Sequence, residues 1–190
     1  MQELPIEVSA RHVHLSQADQ DAVFGPGYEM KILKPLSQTG QWAAEDKVMV
    51  KGPKGEIECR VLGPCRKQTQ VELAQSDAVR IGIKAPIRLS GDLMGSGACS
   101  VAGPSGSVEL KEGAIVALRH LHISDTEAAK VGVKQGDVIS VEIGGDRGLT
   151  VHRIHVRVDP SFRMNVHLDT DEGNASGLGM QGGSGVIVKK

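Results

Sequence analysis

Two short stretches carry most of the chemistry this chain can offer. Residues 11–16 read Arg-His-Val-His-Leu-Ser, and residues 119–124 read Arg-His-Leu-His-Ile-Ser. In an extended strand, side chains at i and i+2 point to the same face, with Cα atoms about 6.5–7 Å apart. Two imidazoles at that spacing can converge on one divalent ion, at about 2.0–2.1 Å per Zn–N bond. His12 with His14, and His120 with His122, are therefore candidate chelating pairs. Val13 and Leu121 between them face the core. A single His-x-His is commonly two surface histidines; the duplication in matching context is what favours metal. Each pair needs a third ligand to make an open site with three protein donors. His167 in Asn-Val-His-Leu-Asp is one candidate, and Glu72 in Gln-Val-Glu-Leu is another, because a carboxylate flanked by apolar residues must be paired or ligated.

Neutral imidazoles and a carboxylate suit Zn²⁺ or a similar ion. Two adjacent ions can bind a bridging anion, polarise a carbonyl, or stabilise a thiolate. Arg66, in Gly-Pro-Cys-Arg-Lys six residues before Glu72, is a candidate anion clamp, with a solvated surface arginine as the competing reading. His152 and His155 fall on opposite faces of an alternating run and read as surface or structural histidines. The run from Asp169 to Gly173 fails the calcium-loop template, and no nucleophile elbow or phosphate loop is present. The cysteines sit in no context that would lower their pKa.

These side chains need elements to hold them. Each copy follows an apolar stretch and precedes a helix-like one, at 17–24 and 125–131. Ser124 with Glu127 has capping-box spacing, and Ser16 with Asp19 is a weaker version. The unit reads strand, His-x-His, cap, short helix. Residues 47–50 and 56–62 predict a hairpin around Gly52-Pro53-Lys54-Gly55. Further strands are predicted within 78–89, 107–118, 137–143, 151–158 and 163–169, with a turn at 144–148. The tail 173–185, with six glycines, reads as a loop. Many short strands suit a mainly β fold of two small barrels or sandwiches. If the two copies converge, 1–37 plus 118–190 form one lobe and 38–117 an inserted second.

Composition narrows the function. The chain has 190 residues and a formal charge of −1, so it lacks the basic surplus that holds nucleic acid. Its aromatic residues, Phe24, Tyr28, Trp42 and Phe162, are too few for stacking platforms. Leu, Ile, Val and Phe make up about a quarter of the chain, enough for a core. No apolar run is long enough for a membrane-spanning helix. Three cysteines without Cys-x-x-Cys spacing point to a reducing compartment.

At these residues the sequence resembles the PduL-type phosphotransacylases, also called phosphate propanoyltransferases. The resemblance runs through 8–16, 63–66 with 70–72, 119–124, 145–148 and 167–172, in order and over nearly the whole chain. It implies exchange of an acetyl or propionyl group between coenzyme A and phosphate, by two β-barrel lobes with the active site and two zinc ions between them. It implies that His12, His14 and Glu72 ligate one zinc, that His120, His122 and His167 ligate the other, and that Arg66 contacts phosphate. It also implies a possible homodimer. Microcompartment-associated members carry an N-terminal targeting extension. Here the first strand is expected by about Ile6, which favours a cytoplasmic form over a microcompartment one unless the sequence is truncated. Two other classes stay open: a two-metal acyl-CoA thioesterase, and a non-enzymatic module clipped by zinc.

Overall fold

A computed structural model of the chain describes residues 3–188. In chain order its elements are β1 (Glu3–Ser9), β2 (His12–His14), α1 (Gln17–Phe24), β3 (Ile32–Pro35), β4 (Trp42–Gly52), β5 (Gly55–Gly63), β6 (Gln70–Leu73), α2 (Gln75–Ile81) and β7 (Ile87–Arg88). They continue with β8 (Gly97–Ala102), β9 (Ser107–Ala117), β10 (His120–Ile123), α3 (Asp125–Val131), β11 (Val138–Ile143), β12 (Leu149–Val158), β13 (Asn165–Asp169), α4 (Thr170–Ala175) and β14 (Gly183–Ile187), with a 3₁₀ turn at Gly179–Gln181.

The chain divides into two compact units. One comprises the described parts of Met1–Ala10, Ser37–Thr39 and Leu118–Lys190; the other comprises Arg11–Leu36 and Gly40–Ala117. In the first, the described strands close into a barrel in the order β1-β13-β10-β12-β11-β14. In the second, they close as β2-β6-β9-β8-β4-β5, with β3 attached to β4 and β7 to β9.

The two rings share one wiring. Starting from the His-x-His strand, the next neighbour is antiparallel, then parallel, then three antiparallel, and the last closes the ring in parallel. Each barrel is filled by the inward-facing half of its strands. Val13, Val48, Val50, Ile57, Val61 and Val71 are among the residues that build the second unit's core. Leu4, Ile6, Leu121, Ile123, Ile154 and Val166 are among those that build the first's. The mainly β, two-barrel architecture expected from sequence is what the chain adopts.

The observed division differs from the boundary predicted at 37/38. Residues 11–36 pack with the second unit because β2 is hydrogen-bonded between β5 and β6. Three local expectations also change. Within 78–89 only Ile87–Arg88 is strand, paired with β9; the start of the run is helical, because α2 occupies Gln75–Ile81, burying Ala78 and Ile81 at i, i+3 spacing and ending on Gly82 in the left-handed conformation. Its N-cap is Ala74, which supplies no side-chain cap, so the sequence carries no start signal for it.

The glycine-rich tail is ordered structure, containing α4, the 3₁₀ turn and β14. Its glycines allow close approach. A Cβ on Gly185 would lie 2.6 Å from the Val141 side chain and 2.7 Å from the Glu142 carbonyl oxygen. Finally, the alternation along β12 is interrupted at Arg153, where φ is 60°. The register shifts there, so Val151 and Ile154 both face the core against Val141 and Ile139.

Candidate metal and anion site

In β2, Val13 points into its barrel and His12 and His14 take the opposite face, both buried. The antiparallel pairing with β6 sets His12 directly across from Glu72 and His14 across from Gln70. His12 Nε2 lies 3.5 Å from Glu72 Oε2. In β10, Leu121 and Ile123 point inward, and His120 stands directly across from His167 on β13. The ring centroids of His120 and His122 are 4.5 Å apart, and those of His122 and His167 4.8 Å. Within each group, His12/His14/Glu72 and His120/His122/His167, one ligand atom per residue lies within 4.8 Å of the others.

The flanking residues of the repeated motif hold these groups in place. Ser16 caps α1, accepting from Asp19 N at 3.1 Å, and Ser124 caps α3 in a full capping box with Glu127. Arg11 donates to Asp77 at 3.3 Å, and Arg119 contacts Glu172 at 2.6 Å. Asp77 and Glu172 each stand third in the helix that follows the third-ligand strand. The motif arginines therefore pin α2 and α4, and with them the ends of β6 and β13.

The donor sets suit a borderline divalent ion such as zinc. His14 Nδ1 is buried with no hydrogen-bond partner, although the ring also contacts the Leu62 backbone. An orphaned ring nitrogen beside a carboxylate is what a ligand position requires. Burial, followed by the His12 and Arg66 charges, lowers the His14 pKa to about 2, so the ring is neutral at working pH. Burial by itself pushes the Glu72 carboxyl up, but His12, His14 and Arg66 together outweigh it and hold the group below the usual carboxylate range. His120 Nδ1 donates to the Leu118 carbonyl oxygen at 2.8 Å, which leaves Nε2 to face the cluster.

Arg66 sits in the same unit as the first group. Its backbone N–H donates to Leu15 O at 2.8 Å, immediately after the second histidine of the motif. Thr69 extends this tie by donating to Asp19 and accepting from Ser16 N at 2.8 Å. The Arg66 Nη1 donates to Ser90 Oγ at 2.9 Å. Arg66 is half-buried beside the ligands, which sets it apart from a solvated surface arginine.

Several neighbours carry no clear signal in the sequence. Gln70 and Ser90 lie between Arg66 and Glu72. Gln70 shares the i, i+2 spacing with Glu72, the one signal that could have exposed it. Glu7 Oε2 is 3.7 Å from His167 Nδ1 and accepts from Ser37 Oγ at 2.7 Å. Gln38 Nε2 lies 3.4 Å from His167 Nε2. Phe162 packs on His122 with centroids 4.1 Å apart. His152 is exposed, with Nδ1 2.9 Å from Ser140 Oγ. Burial raises the Cys59 and Cys99 thiols to about 12, and Cys65 is also raised by burial. None of the three is an activated nucleophile.

Known proteins resemble this chain over most of its length. The family model described as phosphate propanoyltransferase matches residues 5–179. A phosphate propanoyltransferase of Rhodobacter capsulatus is 47% identical over 176 residues, covering 92% of this chain and 82% of that protein. Proteins of the same name from Thermotoga maritima and Listeria monocytogenes are 46% and 44% identical. They cover 91% and 97% of this chain, and 83% and 87% of their own lengths.

Proposed function

On the premise that this chain belongs to the phosphate propanoyltransferase family, and is thus an acyltransferase of the phosphotransacylase type, we propose that it transfers an acetyl or propionyl group between coenzyme A and inorganic phosphate with zinc held by each of its two ligand groups. The observation that carries this reading is the joint placement of Arg66 with His12, His14 and Glu72: an anion clamp tied to a metal-type donor set. His12, His14 and Glu72 would hold one zinc, and His120, His122 and His167 the other. Zinc, when bound, supplies Lewis acidity that offsets phosphate charge and a soft acceptor for a departing thiolate.

The chain's own residues do the rest. Arg66 binds phosphate through its planar guanidinium and fixes the angle at which an oxygen is presented. Holding phosphate in place turns a bimolecular attack into an effectively intramolecular one. A phosphate oxygen forms a bond to the thioester carbonyl carbon. The C–S bond breaks, and the sulfur leaves with the electron pair as CoA thiolate. The high pKa of Cys59 and Cys99 supports direct transfer without a cysteinyl acyl-enzyme.

The test is to trap acyl phosphate as a hydroxamate from acetyl-CoA and from propionyl-CoA, varying both substrates. Intersecting double-reciprocal lines support direct transfer, and the two rates rank the acyl groups. Parallel lines mean a covalent enzyme intermediate and contradict the mechanism. Thiol release with no trapped acyl phosphate means hydrolysis.

A further inference from the structure

Gln70 is almost fully buried, and both its amide oxygen and its amide nitrogen are engaged. Gly91 N donates to Gln70 Oε1 at 2.7 Å. A backbone N–H can only donate, so this contact fixes the amide with its nitrogen on the other side. That nitrogen donates to Glu72 Oε1 and, at 2.8 Å, to Ser90 Oγ. Ser90 Oγ also accepts from Arg66 Nη1 at 2.9 Å. A hydroxyl has two acceptor lone pairs and one hydrogen. With both lone pairs engaged by N–H donors, the Ser90 hydrogen is the only bonding capacity left, and it can only be given away.

Its surroundings say what would take it. Arg66 is the anion clamp beside it, and Glu72 lies on the far side of Gln70 with Oε1 accepting from the amide. An anion seated on Arg66 is the acceptor that completes this network. We propose that Ser90 is a further phosphate-contacting residue, donating its hydroxyl hydrogen to the phosphate held by Arg66, and that Gln70 is the positioning residue that locks Ser90, Arg66 and Glu72 into one arrangement. This rests on the phosphotransacylase reading above. One consequence is that the carboxylate meant for metal and the guanidinium meant for phosphate cannot shift independently. Glu72 is held at Oε1 by Gln70, which leaves Oε2, the oxygen facing His12, toward the ligand position.

The test uses the intact, zinc-loaded chain with Ser90→Ala, Ser90→Thr and Gln70→Glu. Loss of one hydrogen bond to a charged group predicts that Ser90→Ala raises the phosphate KM about ten-fold or more. The acyl-CoA KM and bound zinc should stay within two-fold of the parent. Ser90→Thr, which keeps the hydroxyl, should restore the phosphate KM to within about three-fold. Gln70→Glu keeps the volume but replaces the donor to Glu72 with a second carboxylate. It should weaken zinc binding, read by chelator competition without any assay of activity, and raise the phosphate KM as well. An unchanged phosphate KM in Ser90→Ala overturns the proposal. So does an equal rise in both KM values with loss of zinc, which marks a structural role alone. Should Ser90→Ala fail to fold, unaltered zinc affinity and phosphate KM in Gln70→Glu overturn it. Thiol release by the parent protein without phosphate defeats the underlying reading, a result distinct from any of these.

Discussion

His12 stands directly across from Glu72 in the antiparallel pairing of β2 with β6, with Nε2 3.5 Å from Oε2. The other barrel repeats the relationship with His120 across from His167. The first histidine of each motif thus meets its third partner through strand register, which a barrel enforces because a one-residue slip would turn every core side chain outward. The two groups differ in one donor, a carboxylate in one and an imidazole in the other. On the proposed reading with zinc at each group, Glu72→Ala is expected to lose the ion of its own group and keep the other, and His167→Ala to do the converse. Metal analysis of the purified variants after dialysis checks this. Loss of both ions from either variant would show that the groups do not load independently.

The carboxylate missing from the three-histidine group is supplied nearby. Glu7 approaches His167 Nδ1 at 3.7 Å and is steadied by Ser37. Outer carboxylates of this kind orient a ligating imidazole and strengthen it as a donor. Glu7→Gln is expected to weaken zinc at His120/His122/His167 by about 10–100-fold while leaving the His12/His14/Glu72 group unchanged. Competition with a chromogenic chelator resolves the two affinities.

Arg66 is expected to tolerate no basic substitute. Lysine keeps the charge but loses the planar fork. Arg66→Lys should raise the phosphate KM by about ten-fold or more, with a smaller effect on acyl-CoA. Equal effects on both substrates would contradict its role as the anion clamp.

Cys59 and Cys99 give a pH prediction. Their folded pKa values, raised to about 12 by burial, exceed the ordinary thiol value of 9.0. The raised pKa means the folded state keeps protons that the unfolded state gives up. Stability is therefore intact below pH 9 and falls as pH rises toward 12, by about 1.4 kcal/mol per pH unit for each thiol. Urea unfolding at pH 8, 9.5 and 10.5 reads the slope, and Cys59→Ala should make it shallower. The same burial predicts that both thiols resist alkylation at pH 8 until the protein unfolds.

Much of this site is visible in the chain before any fold is known, and the reason is local. The repeat Arg-His-x-His-x-Ser packs a pin, two candidate ligands, two core residues and a helix cap into six positions, so alternation and capping place them without distant information. Glu72 and His167 are legible as polar residues within apolar strands. What stays hidden depends on pairing across the chain. Arg11 gains its meaning from Asp77, and Glu7 from His167, each through contacts made only once the barrels close. The helix α2 lacks a capping side chain, and the glycines of β14 look like a flexible tail until Val141 and Glu142 press against Gly185.

Transfer to phosphate is the step on which the function turns, and one measurement meets it directly. Zinc-loaded protein is mixed with propionyl-CoA, with and without inorganic phosphate, and free CoA thiol is followed. The expected result is rapid release that depends on phosphate and is matched by an equal amount of acyl phosphate. Release at the same rate without phosphate, yielding free propionate, would contradict it.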